Sequence, residues 1–245
     1  MSGRLKNKIA VVTGGSAGIG LGAAKHFAKE GARVFVTGRN EAKLNQAVES
    51  IGHGATAIQA NTSSLADIDR LYGKIGADAG RIDVLFANAG FYEHGRFGEV
   101  TERHFDDTFN TNVRGLLFAV QKALPLLSPG ASVILTGSIA SMKGFPAFGV
   151  YNASKAAVRS FARTWVVDLK DRGIRVNVLS PGHTDTPGLS RLLDQGTREA
   201  AGASVPLGRL GTSDEMGNVA VFLASDESSY VNGIELFVDG GVGQI

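Results

Sequence analysis

Short apolar runs recur along the chain, separated by longer stretches in which apolar residues return at helical spacing. The runs are IAVVT (9–13), ARVFVTG (32–38), ATAIQA (55–60), IDVLFANAG (82–90), ASVILTG (131–137), IRVNVLSPG (174–182) and IELFVDGG (234–241). They are rich in Val and Ile and apolar on both faces, as strands of a parallel sheet covered by helices on both sides must be. Between them, helices are predicted near 19–30, 41–51, 65–79, 102–127, 150–172 and 213–224. Strand and helix alternate without a linker, a repeat or a break in composition, which predicts an α/β fold: one doubly wound domain over residues 1–245. Only 183–212 (HTDTPGLSRLLDQGTREAAGASVPLGRLGT) departs from the rhythm, and it reads as a flexible excursion.

Composition narrows the function classes. A chain of 245 residues that is 43% hydrophobic can bury one large core. Its 25 basic and 23 acidic residues are scattered and leave a net charge of +2, so neither a nucleic-acid tail nor a membrane-binding strip is expected. The absence of cysteine excludes disulfides, thiolate metal sites and cysteine nucleophiles. The five histidines show no metal-binding spacing, so no metal is expected, and His26, His53 and His104 read as solvated. With no signal peptide and no apolar run near the ~18 residues of a membrane span, a soluble, cytoplasmic protein is expected.

In such sheets ligands bind beyond the carboxyl ends of the strands, where the strand order reverses. Directly after the first run stands Thr13-Gly14-Gly15-Ser16-Ala17-Gly18-Ile19-Gly20, leading into a helix. Glycines there let the backbone approach a pyrophosphate, whose charge meets free N–H groups and the positive helix end. Gly14, Ser16, Gly18, Ile19 and Gly20 are therefore candidate dinucleotide contacts. At the end of the second run, where an acid would hold the ribose hydroxyls of NAD, the chain has Gly38 and then Arg39, a guanidinium able to fork onto a 2′-phosphate. NADP(H) is favoured, NAD(H) is not excluded, and a merely solvated Arg39 is the alternative, with Asn40 capping the next helix.

Together with TGGSAGIG, four more segments appear in order: Ala87-Asn88-Ala89-Gly90, Asn112 in NTNVRG, Ser138 in TGSIAS with Tyr151 and Lys155 in VYNASKAA, and Pro181-Gly182 with Thr186. Over essentially its whole length the chain resembles the short-chain dehydrogenase/reductase family. The resemblance implies a Rossmann-type seven-stranded sheet in the order 3-2-1-4-5-6-7, and a homotetramer built on the helices near 102–127 and 150–172. It also implies cofactor contacts from Asn61, Asn88, Ala89, Gly90, Tyr151, Lys155, Pro181, Gly182, Thr184 and Thr186, and a substrate lid within 183–212. Three positions depart from the commoner pattern: Asn61 stands where an aspartate usually meets adenine, Ala87 where asparagine is usual, and Asn232 where threonine is usual.

The chemistry follows from the residues. A phenol with an ordinary pKa near ~10 exchanges protons poorly at neutral pH, and a cation at i+4 on the same helix face favours its phenolate. Tyr151 and Lys155 have that spacing, although a core tyrosine beside a snorkelling lysine would show it too. Ser138, 13 residues earlier at a strand end, suggests a donor for a carbonyl oxygen. The expected reaction is hydride transfer between NADP(H) and a ketone or secondary alcohol, 3-oxoacyl substrates included, with Tyr151 giving the proton. By the resemblance, Lys155 also holds the nicotinamide ribose, and Asn112 interrupts a helix and anchors a water of the proton relay. His94 is a candidate substrate contact, and His183 lies near the nicotinamide by analogy. The competing readings are a halohydrin-lyase-like enzyme, opposed by Lys155 and the glycine loop, and a non-catalytic dinucleotide sensor or scaffold on the same fold.

Overall fold

The structure, a computed structural model, describes residues 3–245. Its centre is a seven-stranded sheet in the order β3-β2-β1-β4-β5-β6-β7. The strands are β1 (Ile9–Thr13), β2 (Arg33–Gly38), β3 (Thr56–Gln59), β4 (Ile82–Ala87), β5 (Leu127–Thr136), β6 (Arg175–Pro181) and β7 (Glu235–Val238). Every neighbouring pair runs parallel. The fold is thus the Rossmann-type arrangement that the resemblance implied.

Strand alternation divides the core into two layers. Val11, Leu85, Val133 and Val176 face one side, which is covered by α3 (Leu65–Ala79), α5 (Leu116–Ala123) and α6 (Gly149–Asp168). Ala10, Val12, Val84, Phe86 and Ile134 face the other, covered by α1 (Gly18–Lys29), α2 (Glu41–Ile51) and α9 (Ser213–Ala224). Phe27 and Phe86 are fully buried in that second layer, where each side chain contributes about 1.5–3 kcal/mol by leaving water.

Three segments differ from the sequence expectation. The helix predicted over 102–127 runs as α4 (Glu102–Phe109), a π-helical turn (Asn110–Gly115) at the interruption implied for Asn112, and α5, but it ends early, since β5 already begins at Leu127. β5 also takes in Ser128-Pro129-Gly130, ahead of the start expected at Ala131, and the register against β4 shifts there between Ile82 and Val84, the mark of a bulge. The excursion at 183–212 contains α7 (Pro187–Leu192) and α8 (Gln195–Ala203), whose N-termini are capped by Thr186 Oγ1 and Asp194 Oδ1. His104, expected in water, is buried, because α4 turns that face under Gly95. Among the described residues no helix is long and apolar enough to cross a membrane.

Candidate active site

β1 lies between β2 and β4, so the chain changes direction across the sheet there and leaves a crevice at the strand ends. Asn88 closes its floor. Its Nδ2 donates to the carbonyls of Thr13 and Gly14, both at 3.1 Å, and its Oδ1 accepts from Thr136 Oγ1 at 3.2 Å. Thr13 Oγ1 in turn accepts from the N–H groups of Asn88 and Ala89. One amide therefore ties the ends of β1, β4 and β5 beneath a cleft of ≈450 Å³.

At one end of the cleft is the glycine loop. Gly14 has φ +66°, and a Cβ there would lie 2.8 Å from Ala89 Cα; a Cβ at Gly20 would lie 2.4 Å from the Gly14 carbonyl oxygen. Only glycine lets the loop sit this close to α1 and β4. α1 has no side-chain cap at Ala17, whereas α2, α3, α4 and α9 are all capped by their own side chains. The free N–H groups and helix dipole thus open into the cleft, and the cradle fits a pyrophosphate. Arg39 is exposed on the cleft edge, beside Ser16 and Gly38, and no carboxylate among the described residues pairs with it. Asn40 caps α2, as its position suggested. Asn61 lines the cleft, but its Oδ1 accepts from Ser63 N (3.2 Å) and Ser63 Oγ (2.8 Å), so its carbonyl lone pairs are already engaged in a local turn.

At the other end stand Ser138, Tyr151 and Lys155, all on the cleft wall. Lys155 is buried, its Nζ donates to the Thr136 carbonyl at 2.8 Å, and it lies 5.7 Å from the centre of the Tyr151 ring. Burial pushes the Tyr151 phenol up to about 12, with a hydrogen bond to Ser138 pulling the other way. Burial also pulls the Lys155 ammonium down to about 8. The expected lowering of the phenol by Lys155 does not prevail here, because stripping water from a phenolate outweighs an ammonium that is itself engaged by a carbonyl. Tyr151 keeps part of its surface open to the cleft, so the push is that of a lined pocket and not of a sealed core.

Most of the predicted residues converge on this space: Gly14, Ser16, Gly18, Ile19, Arg39, Asn61, Asn88, Ala89, Gly90, Pro181, Gly182, Thr184 and Thr186 all line it. Gly20 lies behind the loop. Asn112 is buried in the π-helical turn and grips Phe91 from both sides: Oδ1 accepts the Phe91 N–H and Nδ2 donates to the Phe91 carbonyl, each at 2.7 Å. His94 is exposed and stands one ring back, edge-on to Phe148, which is in turn edge-on to Tyr151. His183 lines the cleft, edge-on to Phe145, and burial lowers its pKa.

Sequence reasoning passed over the aromatic walls of Tyr92, Phe145 and Phe148, which lie in loops without periodicity. Tyr92 meets Tyr151 edge-on at 5.9 Å, and a Cβ on Gly188 of α7 would lie 2.1 Å from its hydroxyl. It also assigned no role to Asn152 and Ser154. Asn152 Nδ2 donates to the Lys143 carbonyl, anchoring the loop that carries Phe145, and Ser154 Oγ accepts from Asn112 Nδ2 at 3.0 Å. The available signal was the place of Asn152 and Ser154 between Tyr151 and Lys155, and of Tyr92 two residues after Gly90.

A family model described as Enoyl-(Acyl carrier protein) reductase matches residues 14–243. Oxidoreductase asL5 of Sarocladium schorii is 44% identical over 244 residues, covering 99% of this chain and 98% of that protein. Trihydroxynaphthalene reductase of Colletotrichum orbiculare is 34% identical over 255 residues, covering 98% and 90%. A solved structure of a short chain dehydrogenase/reductase family protein superposes with a TM-score of 0.90 at 38% identity, over 99% of this chain and 100% of that one. With its strand order, its glycine cradle and its facing serine, tyrosine and lysine, the chain belongs to the short-chain dehydrogenase/reductase family of oxidoreductases, enzymes that use a nicotinamide dinucleotide.

Proposed function

We propose that the protein is an NADP(H)-dependent reductase of ketones or, in reverse, a dehydrogenase of the matching secondary alcohols. The observation that carries this reading is the two-ended cleft: an uncapped helix N-terminus and an unpaired guanidinium at one end, and Ser138, Tyr151 and Lys155 at the other. The bound cofactor supplies or accepts the hydride. Ser138 donates a hydrogen bond to the carbonyl oxygen and fixes it beside Tyr151. The Tyr151 hydroxyl then gives its proton as that oxygen gains charge, and the Lys155 ammonium stabilises the phenolate left behind. Asn112, by its grip on Phe91, holds the cleft floor against α6 and stands where a water relay to Lys155 would pass. Pro181, Gly182, Thr184 and Thr186 form the shelf for the nicotinamide end, and 183–212 acts as the substrate lid of a single domain spanning the chain.

Tyr92, Phe145 and Phe148 give the substrate end flat, edge-on walls. That shape, with a trihydroxynaphthalene reductase among the relatives, supports planar cyclic or aromatic ketones as the substrate class. A cytoplasmic homotetramer is the proposed assembly. Its support is the partly exposed Phe161–Trp165 stack and the exposed Val167 on α6, the helix expected to pair with a second copy.

Arg39→Ala tests the cofactor reading. A charge-assisted hydrogen bond contributes about 1.5–3 kcal/mol, so the variant should lose about 10- to 100-fold in NADPH affinity and little in NADH affinity. Tighter binding of NADH than NADPH by the unaltered protein, or equal losses for both, would contradict it.

A further inference from the structure

One carboxylate on the sheet-edge strand β7 meets three elements of the site. Glu235 Oε1 accepts from Ser141 Oγ at 2.6 Å and from Ser180 Oγ at 2.8 Å, and Oε2 lies 2.7 Å from Arg159 Nε. Its side chain is only 8% exposed. The Arg159 Nε–H is not aligned for a hydrogen bond to Oε2, so that contact is an attraction of charges.

Each partner belongs to a different part of the chemical end. Ser141 closes the 3-10 turn (Ile139–Ser141) that Ser138 itself caps, through Ala140 N donating to Ser138 Oγ at 3.1 Å. Ser180 immediately precedes Pro181 and Gly182 on β6. Arg159 lies one turn beyond Lys155 and two beyond Tyr151 on the same face of α6. The ends of β5 and β6 also touch, since a Cβ on Gly137 would lie 2.2 Å from Ser180 Oγ. A buried ionised group costs desolvation, and an apolar residue of similar size commonly serves stability as well or better. What Glu235 adds is a single buried carboxylate that engages polar groups of all three segments at once.

We propose that Glu235 is a positioning residue that fixes the Ser138 turn, the Pro181-Gly182 shelf and the Tyr151–Lys155 helix relative to one another, and so sets the geometry of the nicotinamide end. This rests on the dinucleotide reductase reading above. Glu235 touches neither cofactor nor substrate in this role and acts through Ser141, Ser180 and Arg159.

The test uses the full chain with Glu235→Leu, Glu235→Gln and the double variant Ser141→Ala/Ser180→Ala. Adenosine 2′,5′-bisphosphate reports the adenosine end alone, NADPH fluorescence reports nicotinamide placement, and turnover with NADPH deuterated at its transferring position gives kcat, KM and the isotope effect. Glu235→Leu should bind the bisphosphate like the unaltered protein, while NADPH fluorescence falls, kcat drops about 10- to 100-fold and the isotope effect on kcat rises. Glu235→Gln keeps an acceptor for both serines and should restore kcat to within about 3-fold. The double serine variant should move in the same direction as the leucine, and it decides the matter if the leucine variant does not fold. Unchanged fluorescence, kcat and isotope effect in a folded Glu235→Leu, or in the double variant, would overturn the proposal. So would a parallel loss of bisphosphate and NADPH binding capacity at a constant isotope effect, the mark of a purely structural residue. An unaltered protein that binds no dinucleotide refutes the reductase reading instead, before any variant is compared.

Discussion

Tyr151 and Lys155 share a face of α6, yet the same burial drives their acidities apart: the phenol up to about 12 and the ammonium down to about 8. Carbonyl reduction needs the phenol protonated and the lysine charged. As pH rises through about 8, Lys155 loses its charge while Tyr151 keeps its proton, so kcat/KM for reduction should fall there. Lys155→Met should be slow at every pH and lack that limb; a variant with the same descending limb would assign it to another group. The linkage has a definite sign. Between about 8 and the ordinary 10.5 the folded protein has released this proton and the unfolded chain has not, so the contribution of Lys155 to stability rises with pH across that window. Ser138, Tyr151 and Lys155 were legible in the sequence because their spacing is local and their chemistry distinctive. Glu235 was not, since its partners Ser141 and Ser180 lie 94 and 55 positions away and nothing in IELFV distinguishes a tethered carboxylate from a solvated one.

Among the elements, α7 is the one whose position the substrate must negotiate. Thr186 caps it beside the glycine loop, and Gly188 rests on the Tyr92 hydroxyl, which in turn stands edge-on to Tyr151. Gly188→Ala inserts a methyl group where the hydroxyl already sits. Overpacking of that kind costs about 1–3 kcal/mol, so KM for a bulky ketone should rise about 5- to 100-fold while NADPH affinity holds. Adding Tyr92→Phe removes the clashing atom and should recover part of the loss. No recovery in the double variant would show that α7 and Tyr92 are not coupled. Glycine-rich surroundings and weak periodicity masked the short helices α7 and α8, which the structure shows capped by Thr186 and Asp194. The break of the 102–127 helix was legible only through the resemblance, at Asn112, and not from the pattern of apolar positions. A π-helical turn is a single widened turn inside a helix, and no proline marks it in Asn110–Gly115.

At the scale of the whole molecule, periodicity made the parallel sheet and its two helix layers legible, and the family resemblance supplied the strand order. Doubly apolar strands joined by amphipathic helices leave few ways to build a parallel sheet, since crossovers are almost always right-handed. The sheet order then fixes where the crevice opens, and the two ends of the cleft follow from what the loops place there. Substrate identity was not legible, because the walls come from loops and from α7, whose side chains meet only in the folded chain. The central claim is that this cleft transfers hydride to a ketone with Tyr151 as proton donor. Its most direct test is NADPH oxidation, followed by absorbance over a panel of planar cyclic and aromatic ketones, with the unaltered protein and with Tyr151→Phe. The unaltered protein should turn over at least part of the panel, and the variant should bind NADPH nearly as well but lose about 100- to 10,000-fold in kcat. A Tyr151→Phe protein that reduces the same ketones at near-normal rates would contradict the account.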